Sequence, residues 1–147
     1  MATLAHAIHD PAELFNSNIC KVVLKANADA MYFSRAPMPF ARDEFAADWQ
    51  QGRFPTALPG NGYTCHRHIG LYAYRRRFLR DYAGLTASPL ESIEALEQLR
   101  ALWHGYRISV AVTQTLPPAG VDTPEDAVRA QQLFAENFAA LRIDPPL

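Results

Sequence analysis

The chain has 147 residues, of which 15 are acidic and 14 basic, so its net charge at pH 7 is −1 with the histidines neutral. A length near ~150 residues predicts one domain with enough buried surface for a core. The 20% of charged and 11% of aromatic residues exclude a disordered chain. A net charge near zero excludes broad electrostatic attraction to nucleic acid or to an anionic membrane.

Neither a membrane span nor a secretion signal is predicted. No apolar run approaches the ~20 residues that a membrane helix requires. The first residues, Met1 to His6, contain no basic stretch followed by an apolar one, as a signal peptide would. Cys20 and Cys65 are the only cysteines, which is too few for a disulfide framework and fits a reducing cytosol. We therefore expect a cytoplasmic protein that binds neither nucleic acid nor membrane.

The first half of the chain predicts a strand, a short helix and a hairpin before a long loop. Asp10-Pro-Ala-Glu13 has the pattern of a capping box with proline at the first helical position. Asn27-Ala-Asp29 supplies turn residues between two strand-forming runs, which predicts a hairpin. Prolines and glycines interrupt the region after it, and such loops in a compact domain are often functional. The predicted elements are a strand over 2–8, a helix from Asp10 to Phe15, hairpin strands Cys20–Leu24 and Ala30–Ser34, and an irregular loop over 36–62.

The second half alternates strands and helices. Ser88-Pro-Leu-Glu91 is the clearest capping box, and an apolar stripe from Leu90 to Leu102 predicts one helix that continues to Gly105. Thr123-Pro-Glu-Asp126 predicts the cap of a last helix. The predicted elements are a strand over 63–74, a helix from Arg76 to Tyr82 that stops at Gly84, the Ser88-capped helix, a strand from Arg107 to Gln114 and a helix from Thr123 to Leu141. This order predicts an α/β fold.

The strand over 63–74 predicts two different faces. The two-residue period gives one set of Cys65, Ile69, Leu71 and Ala73, and another of His66, His68, Gly70, Tyr72 and Tyr74. We expect the first set to be core. The second is polar and aromatic, with a glycine that leaves room for another molecule near the backbone. The sequence therefore predicts that the second face lines a pocket.

The pair His66-X-His68 has two interpretations. Two imidazoles on one strand face are a start for a zinc site, but no third ligand has a fixed spacing to them. Because Tyr72 and Gly70 share that face, a pair of residues that lines a pocket is the better interpretation.

Three further positions have both a structural and a functional interpretation. Glu97 and Gln98 fall within the Ser88-capped helix, as a solvated flank in which Glu97 reaches Arg100, or as binding residues. Arg35 ends the second hairpin strand, where an arginine is either solvated or an anion-binding fork. Asp122 precedes a helix N-terminus, where a carboxylate is either structural or an oxygen ligand for magnesium. Periodicity does not choose between these interpretations.

Common nucleotide-binding and hydrolase motifs are absent from the 147 residues. The sequence contains no Gly-X-Gly-X-X-Gly, no Gly-Lys-Ser/Thr phosphate loop and no Gly-X-Ser-X-Gly. By these motifs the chain is incomplete as a catalyst.

Six strings, in chain order, carry a family resemblance. They are Phe15–Leu24 (FNSNICKVVL), Met31–Ala36 (MYFSRA), Arg67–Arg75 (RHIGLYAYR), Ser88–Glu91 (SPLE), Leu96–Arg100 (LEQLR) and Gly120–Asp126 (GVDTPED). Together they resemble the 3-deoxy-manno-octulosonate cytidylyltransferases, or CMP-Kdo synthetases. The resemblance is to the later portion of that family, because neither its glycine-containing phosphate loop nor its Gln-Gly-Asp-Glu-Pro segment is found here.

The resemblance implies a nucleotide-diphospho-sugar transferase-like, three-layer α/β fold that is incomplete at its N-terminus. Residues 1–147 would be the sugar-acid-binding and dimerisation portion of one cytidylyltransferase domain. The implied reaction couples CTP to the sugar acid Kdo, with Mg²⁺, to give CMP-Kdo and pyrophosphate for lipopolysaccharide biosynthesis. A homodimer is implied, formed through the hairpin or the loop after Arg35. Without the CTP-binding front, we expect the chain to be inactive alone.

The same resemblance implies the site residues, although no general base is evident. They are Arg35 for anionic groups, His68 and Tyr72 for the wall of the Kdo pocket, Glu97 and Gln98 for the sugar hydroxyls, and Asp122 for the magnesium ion. Two alternatives stay open. One is a non-catalytic assembly remnant that keeps a dimer surface, and the other is a cytidylyltransferase for another 2-keto sugar acid, such as sialic acid.

Overall fold

A five-stranded sheet forms the framework of the first part of the chain. The computed structural model describes residues 1–115, 121 and 124–141, and the chain divides into two compact units, residues 1–114 and 115–147. The strands are β1 (Ala2–Ala7), β2 (Lys21–Leu24), β3 (Ala30–Ser34), β4 (His66–Ala73) and β5 (Ser109–Thr113). The helices are α1 (Pro11–Phe15), α2 (Arg42–Gln50), α3 (Arg76–Ala83), α4 (Pro89–Glu94), α5 (Gln98–Trp103) and α6 (Pro124–Leu141).

The strand order across the sheet is β3-β2-β4-β1-β5. Strand β1 runs antiparallel to β4 and parallel to β5, while β2 is antiparallel to both β3 and β4. Helices and strands alternate as expected, so the α/β prediction is confirmed. Among the described residues no helix is both long and apolar enough to cross a membrane.

The β2–β3 hairpin forms as predicted, and its turn is tied to the far edge of the sheet. The amide of Lys25 donates to the Asp29 carbonyl at 2.8 Å, and Ala28 has a positive φ of 62°. The Asp29 carboxylate is buried and accepts a hydrogen bond from the Ser109 hydroxyl at 3.1 Å. The hairpin is therefore fixed at its turn as well as along β4.

The expectation of irregular structure over 36–62 is wrong for Arg42–Gln50, which form α2. Ala41 stands at the N-cap and has no side chain that could cap the helix, so the usual start signal is missing. Phe45 is the buried residue of this helix. Tertiary packing around Phe45 stabilises a helix that the local sequence pattern does not predict.

The single helix expected from Ser88 to Gly105 is two helices. The Ser88–Glu91 capping box is confirmed, but Ala95 adopts the left-handed conformation with a φ of 52° and ends α4. Glu97 therefore stands at the N-cap of α5 rather than in mid-helix. Ile93, expected on the apolar stripe, is 79% exposed.

Two predicted side-chain pairs are also corrected. Arg100 does not pair with Glu97 but donates to both carboxylate oxygens of Glu91, at 2.6 and 2.8 Å. Asp10 caps α1 by accepting from the Ala12 amide, whereas the expected return bond from Glu13 is replaced by an ion pair with Arg67 at 2.8 Å. In both cases the side chain pairs with a residue more distant in sequence than the expected partner.

The core set expected on and beside β4 is confirmed at Cys65 and Ile69, which are 2% and 8% exposed, and is wrong at Leu71 and Ala73. His68 lies beside Ala5, and Tyr72 lies beside Thr3; both of these β1 residues are buried, so His68 and Tyr72 face the main core. Leu71 is instead 57% exposed. The cause is a register shift, because Thr3 pairs with Tyr72 while Leu4 pairs with Ile69. Gly70 and Leu71 are the two unpaired residues of this irregularity, so Leu71 departs from the alternation while His68 and Tyr72 keep a common face.

Two buried clusters stabilise the first unit. The larger one joins the sheet to the helices α3 to α5, and the smaller one lies around α1 and α2. The larger contains Ala5, Val22, Ala30, Phe33, Phe78, Leu96, Leu99, Ala101, Ile108 and Val110, and the smaller contains Ile8, Leu14, Phe45 and Cys65. The helix expected over 76–82 is confirmed with Gly84 as its C-cap, and β5 and α6 form near their expected places.

Candidate functional site

Arg35 follows β3 and lies against the junction between α4 and α5. Its Nε donates to the Glu94 carbonyl at 2.9 Å, and its Nη2 to the Ala95 carbonyl at 3.5 Å. Its Nη1 donates to the Ser17 carbonyl at 3.3 Å. A guanidinium has five N–H donors, so two remain for an anion after these three contacts. Arg35 is thus held by the protein but keeps N–H donors that are free to bind an anion.

Glu97 and Gln98 begin the helix on the other side of this junction. Gln98 is 2% exposed, with its Nε2 3.9 Å from the Cys20 sulfur. Glu97 is exposed, and its backbone carbonyl accepts from the Tyr82 hydroxyl at 3.1 Å. Glu97 therefore presents its carboxylate to solvent and Gln98 its amide to the interior, which rules out two solvated flanking residues.

Cys20 is the side chain around which these groups gather. Burial raises the pKa of its thiol to about 12, against the opposing influence of the nearby Arg35 and Lys21 cations, while Glu94 and Glu97 add to the rise. A thiol with this pKa stays protonated at neutral pH and is not a nucleophile. Because both Arg35 and Glu97 influence this thiol, their side chains lie within electrostatic range of Cys20.

Tyr72 brings β4 into the same cluster. Its hydroxyl oxygen is buried and has no hydrogen-bond partner within the part of the chain that the structure describes. Burial raises the pKa of the phenol, and the Glu97 carboxylate raises it further. The group is therefore a neutral hydroxyl. A buried hydroxyl without a partner is costly and marks a position with a free hydrogen-bond donor.

His68 lies on the same strand, four residues before Tyr72. Its ring centroid is 5.3 Å from that of Tyr72 and 4.9 Å from that of Phe33. Its Nε2 is 2.9 Å from the Thr3 hydroxyl, whose single proton is directed at the carbonyls of β4, at 2.8 Å for Leu71. A Thr3 hydroxyl that donates to the Leu71 carbonyl accepts from His68, which corresponds to the tautomer with the proton on Nε2. Burial lowers the pKa of His68 to about 4, which keeps the ring neutral.

A buried lysine, Lys21, holds the backbone of Arg35 by a hydrogen bond. Lys21 is fully buried, and its ammonium donates to the carbonyls of Asn16 (2.8 Å), Ile19 (2.6 Å) and Arg35 (2.6 Å). Burial lowers its pKa to about 8. The three bonds fix the backbone of Arg35 against the loop that precedes β2.

A small cavity opens beside Glu97 and Gln98. It has a volume of about 180 Å³ and is lined by Met1, Tyr74, Leu79, Tyr82, Glu97 and Gln98. This volume is below the ~300 Å³ at which pockets for drug-sized ligands begin, so it suits a small ligand or part of one. The rings of Tyr74 and Tyr82 supply apolar walls, and the Glu97 carboxylate supplies a hydrogen-bond acceptor.

Five of the six predicted site residues thus lie around the α4–α5 junction and the adjoining part of β4. Asp122, the expected magnesium ligand, lies outside the described residues. Sequence reasoning missed Cys20, Lys21 and Glu94, which connect the predicted residues. The signal for Cys20 and Lys21 was their place in the string Phe15–Leu24, whereas nothing local distinguishes Glu94 from the other carboxylates of its helix.

Comparison with protein families matches residues 1–108 to the cytidylyltransferase family. Among solved structures, the chain is similar to a CMP:2-keto-3-deoxy-manno-octonic acid synthetase complexed with CTP, with 34% sequence identity and a TM-score of 0.76. The match covers 92% of this chain and 49% of that one, so this chain spans about half the length of that protein's chain. The similarity confirms the predicted fold class. Because the family match extends over well more than half of its residues, the chain belongs to the cytidylyltransferase family.

Proposed function

We propose that the chain is the sugar-acid-binding portion of a CMP-Kdo synthetase. The reaction joins the anomeric hydroxyl of Kdo to the α-phosphorus of CTP and releases pyrophosphate, in the cytoplasmic supply of lipopolysaccharide precursors. The observation that carries the proposal is that Arg35, Glu97 and Tyr72 lie within electrostatic range of the Cys20 thiol, whose sulfur is 3.9 Å from the Gln98 amide nitrogen. The similar structure complexed with CTP supports the choice of nucleotide.

Each residue suits one part of a sugar acid. The two remaining N–H donors of Arg35 match a carboxylate, which accepts a bidentate guanidinium. The Tyr72 hydroxyl donates, because its raised pKa keeps it protonated. Glu97 accepts from sugar hydroxyls, and the Gln98 amide both donates and accepts. His68 keeps a neutral ring behind Tyr72 and adds no charge to the site.

The proposed reaction also uses Mg²⁺, with Asp122 as a ligand of the ion. A carboxylate is a ligand that Mg²⁺ prefers, and the ion would neutralise phosphate charge beside the sugar. The family match supports a divalent metal in general terms. Since the 147 residues contain no phosphate loop, we expect the purified chain to release no pyrophosphate from CTP, Kdo and Mg²⁺.

We further propose that two copies associate through an aromatic surface that Phe15 forms with three residues of the segment after Arg35. This surface consists of Phe15, Phe40, Trp49 and Phe54, whose ring centroids lie 5.5 to 6.5 Å apart from neighbour to neighbour. Phe40, Trp49 and Phe54 are 44%, 47% and 66% exposed. Contiguous exposed aromatic rings favour association between proteins.

Cys20 and Cys65 are free thiols, which supports a cytoplasmic location.

Binding of Kdo to the purified chain tests the proposed site. We expect Kdo to raise the midpoint of thermal unfolding, and the Arg35→Met variant to bind Kdo at least roughly tenfold more weakly, because a charged hydrogen-bonded pair contributes ~1.5–3 kcal/mol. Isothermal titration calorimetry measures the affinity. Arg42→Met is the matched control, since Arg42 is an exposed arginine paired only with its neighbour Asp43 in the described contacts.

The alternatives give different outcomes in the same experiment. Stronger binding of sialic acid than of Kdo would identify another 2-keto sugar acid as the substrate. An intact dimer that binds neither sugar acid would favour a non-catalytic assembly protein.

A further inference from the structure

Glu94 joins the hairpin to the α4–α5 junction. Its carboxylate accepts hydrogen bonds from the Ser34 hydroxyl at 2.6 Å and from the Arg35 backbone amide at 3.0 Å. The Tyr32 hydroxyl lies 3.5 Å from the same carboxylate. The backbone carbonyl of Glu94 in turn accepts from Nε of Arg35 at 2.9 Å. One residue therefore holds both the backbone and the guanidinium of Arg35.

We propose that Glu94 is a positioning residue for the sugar acid, one that directs the Arg35 guanidinium and fixes its distance from Glu97 and Gln98. The inference rests on the proposed function of Arg35 as the carboxylate-binding residue. Glu94 itself is not expected to touch the substrate, because its carboxylate is occupied by donors from β3 and Arg35.

The backbone at the end of α4 explains how Glu94 acts on both sides of the site. Ala95 has a φ of 52°, so the chain turns sharply between Glu94 and Glu97. The carbonyls of Glu94 and Ala95 both face the Arg35 guanidinium. A non-glycine residue keeps a positive φ only where surrounding contacts hold it there. The Glu94 carboxylate supplies those contacts from the hairpin, so its loss would loosen Arg35 and the start of α5 together.

The Glu94 side chain acts only as an acceptor in this arrangement. Its two oxygens face donors only, namely two hydroxyls and one amide. A glutamine in the same place keeps one acceptor oxygen, and its NH₂ group faces either the Arg35 amide, which can only donate, or the two hydroxyls, which must then accept. The Glu94→Gln variant therefore removes the negative charge and breaks or reverses the hydrogen bonds of one oxygen, with almost no change in size.

Glu91 supplies a matched control on the same helix. Its carboxylate accepts from the Ser88 amide and from Nε and Nη2 of Arg100, and it makes no described contact with Arg35. The Glu91→Gln variant thus makes the same substitution on the same helix, where the carboxylate binds Arg100 instead of the Arg35 segment.

Two measurements test the inference. In ¹⁵N NMR spectra of the free protein, we expect Glu94→Gln to shift the Nε–H signal of Arg35 and speed its exchange with water, while Glu91→Gln does so only for Arg100. In titrations, we expect Glu94→Gln to bind Kdo roughly tenfold more weakly and to lose most of the preference for Kdo over its methyl ester. Glu91→Gln should keep affinity within twofold and keep that preference.

The outcomes separate this inference from the proposed function. An unchanged Arg35 signal in Glu94→Gln would overturn the positioning role, whatever the chain binds. A displaced signal with wild-type affinity and preference for Kdo would equally overturn it. Absence of Kdo binding by the wild-type chain would instead refute the proposed function, and the role of Glu94 in sugar-acid binding with it, leaving the NMR result as a statement about Arg35 alone.

Discussion

The Tyr72 hydroxyl is buried beside Glu97 and makes no hydrogen bond within the described part of the chain. Replacement by phenylalanine removes no contact that stabilises the fold. We expect Tyr72→Phe to change the free energy of unfolding by less than about 0.5 kcal/mol, or to raise it, because the cost of a buried unpaired group disappears. The affinity for Kdo should fall roughly fivefold or more. Urea unfolding and calorimetry measure the two quantities; a large loss of stability with unchanged binding would contradict this role.

His68 links the stability of the protein to pH. Its pKa in the folded chain is about 4, below the ordinary 6.5, so the neutral ring stabilises the fold above pH 6.5 and this contribution is lost as the pH falls through 4. The shift is equivalent to at most about 3 kcal/mol, reduced by the partial exposure of the ring.

The His68→Gln variant isolates this contribution. Both proteins lose stability in acid as other groups titrate, but only the wild type carries the His68 term. We therefore expect the difference in unfolding free energy between wild type and variant to shrink by about 1–3 kcal/mol from pH 7 to pH 4. Urea unfolding at both pH values measures it, and a constant difference would contradict the assignment.

Individual site residues were predictable from sequence to the extent that they sit in short recognisable strings. Arg35, His68, Tyr72, Glu97 and Gln98 all fall in such strings and lie near one another in the structure. Their burial and contacts were not predictable. Local patterns do not show that Tyr72 and His68 face the main core, since this depends on how β4 pairs with β1, which is distant in sequence.

At the scale of elements, the hairpin turn offers a direct test of local strain. Ala28 has a φ of 62°, a conformation that costs an alanine ~1 kcal/mol or more and costs glycine almost nothing. We expect Ala28→Gly to raise the free energy of unfolding by about 0.5–1 kcal/mol, after allowance for the greater freedom of glycine in the unfolded chain.

Ala26→Gly is the control for this substitution. Ala26 is exposed in the same turn and does not have a positive φ, so glycine should lower the stability by about 0.5–1 kcal/mol. Thermal and urea unfolding compare the two variants. Equal effects would show that the turn conformation is unimportant.

Elements with their own start and stop signals were predicted well, and elements fixed by distant contacts were not. The hairpin has its turn residues, and α3 ends at Gly84. In contrast, α2 lacks a capping side chain, and the apolar stripe from Leu90 to Leu102 is compatible with one continuous helix. The break at Ala95 is accompanied by contacts of Glu94 with β3 and Arg35, which are 59 to 62 positions away in sequence.

For the whole molecule, the aromatic surface predicts a dimer. We expect the wild-type chain to sediment as a dimer, and the double variant Trp49→Ser and Phe54→Ser to sediment as a monomer at micromolar concentrations, because aromatic anchors contribute most of the energy of an interface. A variant with Ile93→Ser and Trp103→Ser removes two exposed apolar residues outside this surface. Sedimentation velocity distinguishes the cases, and a monomeric wild type would refute the prediction.

The buried Lys21 also gives the molecule a selective chemical label. The sequence contains two lysines, and Lys25 is exposed whereas Lys21 is enclosed by three carbonyl oxygens, one of them from Arg35. An acylating reagent therefore modifies Lys25 and the terminal amine first, and reaches Lys21 only when the Arg35 backbone moves away. The ratio of acylation at the two lysines, read by mass spectrometry, thus reports how often the binding segment opens.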